Sequence, residues 1–165
     1  MRVFISHKRE DTELAKKKYA EDFENLGFSF YLDAYDSHIS KSNDRGSLIN
    51  QEIIQSTDLL VIHTEHTKGS WWVPFEVGLS TAAKNRIVTI THVNAPELPS
   101  FLRKWPIVTS NKEYAIYLSE LKKQNTELLT ESRNINFAKS MESLLRTTNT
   151  SETFHNKLKT LFGQN

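Results

Sequence analysis

The alternation of strand-like and helix-like segments is the feature of this sequence that most limits the folds open to it. β-branched and aromatic runs are separated by segments in which apolar residues recur at helical spacing. The five strand-like runs are 2–6 (RVFIS), 28–33 (FSFYLD), 59–64 (LLVIHT), 86–93 (RIVTITHV) and 105–110 (WPIVTS). Strands that alternate with helices indicate a parallel sheet covered on both faces.

We therefore predict an α/β, flavodoxin-like three-layer fold with a five-stranded parallel sheet of order 2-1-3-4-5. In that topology a ligand crevice lies outside the carboxyl ends of strands 1 and 3, where the strand order reverses. With 165 residues the chain is long enough for one domain with a real core. We assign residues 1–124 to this core and residues 125–165 to a C-terminal helical extension packed on it, with a contact to a second subunit as the alternative.

The composition excludes several classes of function. The 21 basic and 20 acidic side chains nearly cancel, which predicts no nucleic-acid partner. Cysteine is absent, so disulfides, thiolate nucleophiles and cysteine-ligated zinc are excluded. No apolar run is long enough for a signal peptide or a membrane span, and we expect a cytoplasmic protein without a membrane partner.

Turn and cap residues predict where the helices begin and end. Asp11 or Thr12 is expected to cap the first helix, and Gly27 to end it in a left-handed conformation. Ser47 is expected to cap the second helix. Asn85 is the expected left-handed residue after the third.

The third helix carries the most informative segment, GSWWVPFEVGLSTAAKN. Proline is tolerated only in the first turn of a helix, so Pro74 predicts a start close to Ser70 or Trp71. Trp72 and Glu76 then lie on one face near the helix N-terminus, where the helix dipole favours an ionised carboxylate. From the pattern alone, the favoured interpretation is a core aromatic beside a solvated carboxylate.

Three features together resemble the Toll/interleukin-receptor (TIR) domain family. They are FISHKRED after the first strand, a second strand ending in Asp33, and S-x-W-x-x-x-E formed by Ser70, Trp72 and Glu76. The long polar loop 34–46 falls where that family has its BB loop. The resemblance spans about residues 1–120 and is greatest to the prokaryotic members that cleave NAD+, in which the glutamate matching Glu76 is catalytic.

This resemblance implies a site without a cofactor or a metal, in which NAD+ is the substrate. Nicotinamide leaves NAD+ as a neutral molecule, so one carboxylate suffices to stabilise the cationic ribose as it forms. Trp72 or Trp71 is expected to pack against the ribose or a ring of NAD+, and Lys8 and Arg9 are suited to binding its pyrophosphate. The predicted substrate-binding residues are Ser6, His7, Lys8, Arg9, Asp33, Tyr35, Ser70, Trp71 and Trp72.

Several of these residues also have a structural interpretation. His7 either borders the pocket or is a surface histidine, and Asp33 either contacts the ligand or forms a turn. Tyr35, with Asp36 and His38, either closes over the nucleotide, meets a neighbouring subunit or lies in a solvated loop. His63 and His66 lack the spacing of a metal motif.

The resemblance also implies partners. Stand-alone prokaryotic TIR proteins act in Thoeris-type antiphage defence, where an ADP-ribose-derived signal activates a separate effector. Many TIR sites are completed between subunits, so a homo-oligomer is expected. The alternative is a non-catalytic adaptor that signals through TIR–TIR contacts. Neither a GxGxxG nor a GxxxxGK[ST] motif is present, which argues against Rossmann and P-loop nucleotide sites.

Overall fold

The computed structural model of the chain describes residues 1–32, 44–92, 97–134 and 140–164. Within these ranges five strands form one sheet of order β2-β1-β3-β4-β5, in which every neighbouring pair is parallel. The strands are β1 (Arg2–Ser6), β2 (Ser29–Leu32), β3 (Asp58–His63), β4 (Arg86–Thr91) and β5 (Ile107–Val108). The predicted fold class and strand order are confirmed.

The connections between the strands are helical. The first, α1, is a composite of a 3₁₀ turn (Arg9–Asp11), an α-helical turn (Thr12–Leu14), a π-helical segment (Ala15–Ala20) and a final α-helical turn (Glu21–Asn25). The other helices are α2 (Arg45–Ile54), α3 (Trp72–Ala82), α4 (Ser100–Arg103), α5 (Asn111–Asn134) and α6 (Ser140–Phe162), and a 3₁₀ turn (Glu65–Thr67) follows β3.

The helix ends follow some of the sequence signals and depart from others. Gly27 has a φ of 73°, as predicted. Helix α2 is capped by Asp44, whose side chain accepts a hydrogen bond of 3.1 Å from the Ser47 amide, so the predicted Ser47 cap is wrong by three residues. The left-handed residue after α3 is Lys84, with a φ of 61°, and not Asn85. Asn85 is buried instead, and its side-chain amide donates to the Ile53 carbonyl.

Each face of the sheet has its own hydrophobic core. Successive β1 residues alternate between them: Val3 and Ile5 belong to one cluster, and Phe4 belongs to the other. Helices α1, α5 and α6 cover the first face, which contains Tyr19, Phe23, Tyr117, Leu121, Phe154 and Leu158. Helices α2, α3 and α4 cover the second face, which contains Ile49, Ile53, Val73, Val77, Leu98 and Leu102.

Helix α6 completes the sheet on the side where β5 is short. The Ile87 amide lies beyond the start of β5, and it donates a 2.7 Å hydrogen bond to His155 Nε2. The side-chain amide of Gln164 occupies the outer edge of β5, accepting from the Ile107 amide at 2.9 Å and donating to the Ile107 carbonyl at 2.5 Å. Phe154 and Leu158 are fully buried between these contacts. His155 thus satisfies an amide that a longer fifth strand would otherwise pair, and Gln164, two residues beyond the helix, satisfies the outward backbone groups of Ile107 in β5.

Helix α5 is longer than the pattern predicts. Its apolar spacing predicts a helix from about Lys112 to Lys123, whereas the observed helix continues to Asn134, across the predicted boundary between residues 124 and 125. None of the helices in the described ranges combines the length and hydropathy needed to cross a membrane.

Candidate active site at the carboxyl end of strand β1

The central residue of the site is Glu76, a carboxylate buried between helix α3 and the sheet. It is only 3% exposed, and its Oε2 accepts a 2.5 Å hydrogen bond from Ser6 Oγ. Ser6 is the last residue of β1, next to the point where the strand order reverses between β1 and β3. The buried carboxylate therefore lies at the position where open α/β sheets bind ligands.

The pleat of β1 and the face of α3 explain why these two side chains meet. Ser6 follows Phe4 by two residues and points to the same face of the sheet. Glu76 lies on the inner side of α3 between Val73 and Val77, both of which pack on that face. A polar residue at the end of the strand thus faces a carboxylate on the inner side of a helix whose other buried residues are Val73, Val77 and Ser80.

Three aromatic rings surround the start of α3. Trp71 is the N-cap residue, as expected for a helix that begins close to Ser70 or Trp71. Its side chain is 90% exposed. Trp72 is 36% exposed, and its ring lies 5.8 Å from that of Phe75 at an interplanar angle of 79°. The Arg45 guanidinium lies 4.4 Å from the centre of the Trp72 ring, within the range of a cation–π contact. A partly exposed indole with a cation on one side therefore stands one helical turn from Glu76.

Ser70 has a local role at this helix start. Its Oγ lies 3.4 Å from the Val73 amide and accepts a long hydrogen bond from it. Its own amide donates to the Thr67 carbonyl. Ser70 thus joins the turn after β3 to the first turn of α3.

The loop after β1 contains three of the predicted site residues. Both ring nitrogens of His7 are engaged within the loop, Nδ1 with the Ile5 carbonyl at 3.1 Å and Nε2 with Thr12 Oγ1 at 3.2 Å. Lys8 is half-buried and precedes the first turn of α1, and Arg9 is exposed in that turn. The structure therefore ties His7 into its own loop and leaves the Arg9 side chain at the surface.

A hydrogen-bonded network that the sequence did not reveal ties this loop to the end of β3. Asp11 does not cap α1 with its side chain; its Oδ2 accepts from Thr64 Oγ1 at 2.7 Å. Thr67 Oγ1 in turn contacts the Thr64 amide at 2.7 Å and His63 Nδ1 at 3.1 Å. The sequence signal at Asp11 was ambiguous, because an aspartate just ahead of a helix is typical of an N-cap residue and does not reveal a distant partner.

His63 and His66 occupy different environments. His63 is 1% exposed on the same face of the sheet as Ser6, and burial lowers its pKa. His66 is exposed in the turn that follows. Among the described residues, no group of three histidine, aspartate or glutamate side chains is placed to hold a metal ion.

Two predicted site residues, Asp33 and Tyr35, lie outside the described residues. The same holds for Asp36, His38 and the 34–43 part of the predicted BB loop. Of the other predicted residues, Ser6 and Glu76 are brought into direct contact. Trp72 stands one turn of helix away.

Comparison with known proteins identifies the family and the fold of the chain. The sequence profile of the TIR domain family matches residues 3–129. A crystal structure of a prokaryotic SEFIR domain superposes with a TM-score of 0.52 at 18% sequence identity, covering 74% of this chain and 96% of the other. A search of curated protein sequences found no match. Because the family profile covers most of the chain, the protein belongs to the TIR domain family.

Proposed function

We propose that this TIR domain cleaves the bond between nicotinamide and ribose in NAD+, with Glu76 as the catalytic residue. The observation that carries the proposal is the buried Glu76 carboxylate, held by Ser6 at the carboxyl end of β1. A glutamate at a helix surface needs no such partner. An adaptor that only binds other TIR domains has no chemical need for a carboxylate turned inward at this crevice.

The chemistry requires only one acidic residue. The C1′–N bond breaks with its electron pair moving to the pyridinium nitrogen, so nicotinamide departs neutral and the ribose becomes an oxocarbenium-like cation. Glycosidases need a second carboxylic acid because their leaving oxygen must be protonated. In NAD+ cleavage, the Glu76 carboxylate hydrogen-bonds the ribose hydroxyls and stabilises the developing charge. A preorganised group of this kind contributes about 3 kcal/mol or more to transition-state stabilisation.

The surroundings of Glu76 supply plausible contacts for the rest of the nucleotide. The half-exposed Trp72 ring is positioned to cover the ribose or the nicotinamide and to exclude water. The cations at Lys8 and Arg9 lie in the adjoining loop, where they suit the pyrophosphate. Because Glu76 is only 3% exposed, substrate binding requires that side chains beside it open.

The expected product is ADP-ribose, a cyclic isomer of it or a conjugate. In the Thoeris-type arrangement that the resemblance implies, this nucleotide is an antiphage signal that activates a separate effector. The active unit is then expected to be a homo-oligomer formed through TIR–TIR contacts.

The test is nicotinamide release from NAD+ by the purified chain, with the product identified by mass spectrometry. Glu76→Gln keeps the shape of the side chain and removes its charge, and we expect it to lower the rate by at least about a hundredfold. Glu65→Gln, a change at an exposed carboxylate in the neighbouring turn, is the matched control and should retain activity. Equal rates for the wild type and Glu76→Gln, at protein concentrations that allow self-association, would contradict the proposal.

The second candidate is a non-catalytic TIR adaptor. One observation favours it: Trp71 is 90% exposed next to Phe75, which is 40% exposed, and large exposed aromatic groups mark interaction surfaces. Sedimentation velocity of the wild type and Trp71→Ala distinguishes the candidates when combined with the NAD+ assay. Self-association that depends on Trp71, without nicotinamide release, would support the adaptor.

A further inference from the structure

A cavity lies at the carboxyl ends of β4 and β5, on the face of the sheet opposite Glu76. Its volume is about 300 Å³, and its apolar wall includes Ile90 and Val108. Both residues belong to the core cluster under α1, α5 and α6, whereas Glu76 lies among the residues of the other face. The sheet itself therefore separates this cavity from the proposed catalytic site.

The π-helical segment of α1 supplies one side of the cavity. Lys18 and Tyr19 are consecutive residues of this segment, and both line the cavity. The Lys18 Nζ lies 5.5 Å from the centre of the Tyr19 ring. Short π-helical segments occur mostly as local interruptions of α-helices and are frequent at functional sites. This segment therefore contributes one exposed ammonium group and one buried aromatic ring to the lining.

The cavity lining carries a polar pair in which the tyrosine is buried and the histidine is exposed. The Tyr19 hydroxyl lies 2.9 Å from His92 Nε2, and Tyr19 is 1% exposed. Burial raises the pKa of Tyr19 to about 12, and burial and Lys18 lower the pKa of His92. Both groups are therefore neutral at pH 7, and Lys18 is the residue of the lining that carries a full charge.

The opposite wall adds polar groups and no carboxylate. Thr91 and Ser110 line it, together with Asn111 at the start of the 24-residue helix α5. The nearby Glu113 side chain is engaged by the amides and hydroxyls of Thr109 and Ser110, and it is not among the lining residues. The lining itself therefore offers one cation, neutral hydrogen-bonding groups and an apolar wall. The Asp22 carboxylate is outside the lining but close enough to Tyr19 and Tyr114 to contribute to the raised pKa of both hydroxyls.

We propose that this cavity is a binding site for a small organic monoanion that combines one carboxylate with a flat ring. The carboxylate pairs with the Lys18 ammonium, and the ring packs against Tyr19 and the apolar wall. A single cation matches a single negative charge better than the double charge of a phosphate monoester. A volume of about 300 Å³ is at the lower end of ligand pockets, which suits a one-ring compound.

The experiment is a titration of the ¹⁵N-labelled full chain with benzoate, followed by amide chemical shifts. Benzyl alcohol is the uncharged probe of similar shape. We expect saturable shifts at Thr91, His92, Ser110 and Asn111 with benzoate, and affinity at least about tenfold lower for benzyl alcohol, equivalent to roughly 1.4 kcal/mol.

Variants separate this site from the proposed catalytic site and from a general charge effect. Lys18→Met should abolish the preference for benzoate, whereas Lys17→Met, an exposed neighbour paired with Glu13, should preserve it. Glu76→Gln should bind benzoate as the wild type does, whether or not the chain cleaves NAD+. An unperturbed spectrum confirms that each variant is folded. The proposal is overturned by the absence of saturable shifts at these amides, by shifts centred on Glu76, or by equal effects of the two lysine changes.

Discussion

Ser6 Oγ donates a 2.5 Å hydrogen bond to Glu76 Oε2 and joins the end of β1 to the inner face of α3. Ser6 is thereby a positioning residue for the proposed catalytic carboxylate. Ser6→Ala removes a hydrogen bond to a charged group, for which about 1.5–3 kcal/mol is typical. We expect a kcat for NAD+ cleavage that is roughly 10- to 100-fold lower, with KM little changed.

Ser6→Thr keeps the hydroxyl and should recover much of this loss. The measurement is steady-state nicotinamide release, with a thermal unfolding curve for each variant. A folded Ser6→Ala protein with wild-type kcat would show that the hydrogen bond does not orient the reacting group.

The two adjacent tryptophans should differ in their effect on substrate binding. Trp72 is packed against Arg45 and Phe75 one turn from Glu76, whereas Trp71 is 90% exposed. Trp72→Ala should raise KM for NAD+ by about tenfold through lost ring contact, and Trp71→Ala should leave KM nearly unchanged. Each is measured over a range of NAD+ concentrations at one protein concentration. A larger effect of Trp71→Ala would place the substrate on the outer side of the helix start.

The free energy of unfolding should decrease in mildly acidic solution because His155 is buried in its neutral form. Burial and the nearby cations Arg86, Lys159 and Lys104 lower the pKa of this histidine to about 4, from an ordinary value near 6.5. Between these pH values the unfolded chain binds the proton and the folded chain does not. The contribution of His155 to the free energy of unfolding is therefore complete above pH 6.5. It is lost as pH falls towards 4, by on the order of 3 kcal/mol.

Urea unfolding at pH 7.5, 6 and 5 measures this dependence. His155→Gln removes the titrating group while retaining an acceptor for the Ile87 amide. The variant should therefore show a flatter dependence on pH, whatever its stability at pH 7.5. Parallel curves for the two proteins would mean that other groups cause the loss.

Replacing only one partner of the ion pair between Arg86 and Asp58 should destabilise the folded protein strongly. The two residues are 6% and 1% exposed, and Arg86 Nη2 lies 2.6 Å from Asp58 Oδ2. Arg86→Met leaves a buried carboxylate without its cation, for which about 3–5 kcal/mol of destabilisation is typical. Asp58→Asn combined with Arg86→Met should be more stable than Arg86→Met alone. Urea unfolding at pH 7.5 measures Arg86→Met, Asp58→Asn and the double variant, and a double variant at the sum of the two single losses would argue against coupling.

The sheet order and the beginning of α3 were predictable from the sequence, for different reasons. Alternating strand and helix patterns admit few topologies, and Pro74 restricts the helix start because proline lacks an amide hydrogen. The caps were harder to predict. Asp44 and Ser47 are both good N-cap residues, so composition alone does not choose between them.

Other features depend on contacts that are distant in the sequence. The bond from Ser6 to Glu76 joins residues 70 positions apart, and that from Asp11 to Thr64 joins residues 53 positions apart. The local sequence pattern predicted that Ser6 and Glu76 lie at the same crevice, because Ser6 ends a strand and Glu76 lies near the start of a helix. The predicted role of Asp11 as an N-cap was wrong, because its carboxylate accepts a hydrogen bond from the distant Thr64 hydroxyl and not from a nearby backbone amide. The π-helical segment of α1 has no comparable local signal in AKKKYA.

The pairing of Gln164 with both backbone groups of Ile107 has a consequence for the solubility of the protein. An unpaired strand at the border of a sheet is a template on which another chain can add a strand, and this leads to aggregation. The carboxamide of one glutamine reproduces the donor and acceptor of a neighbouring peptide unit and so blocks that template at Ile107. Removing the last helical turn with Gln164 would leave the border open to β-addition between molecules, even if the two cores stayed folded.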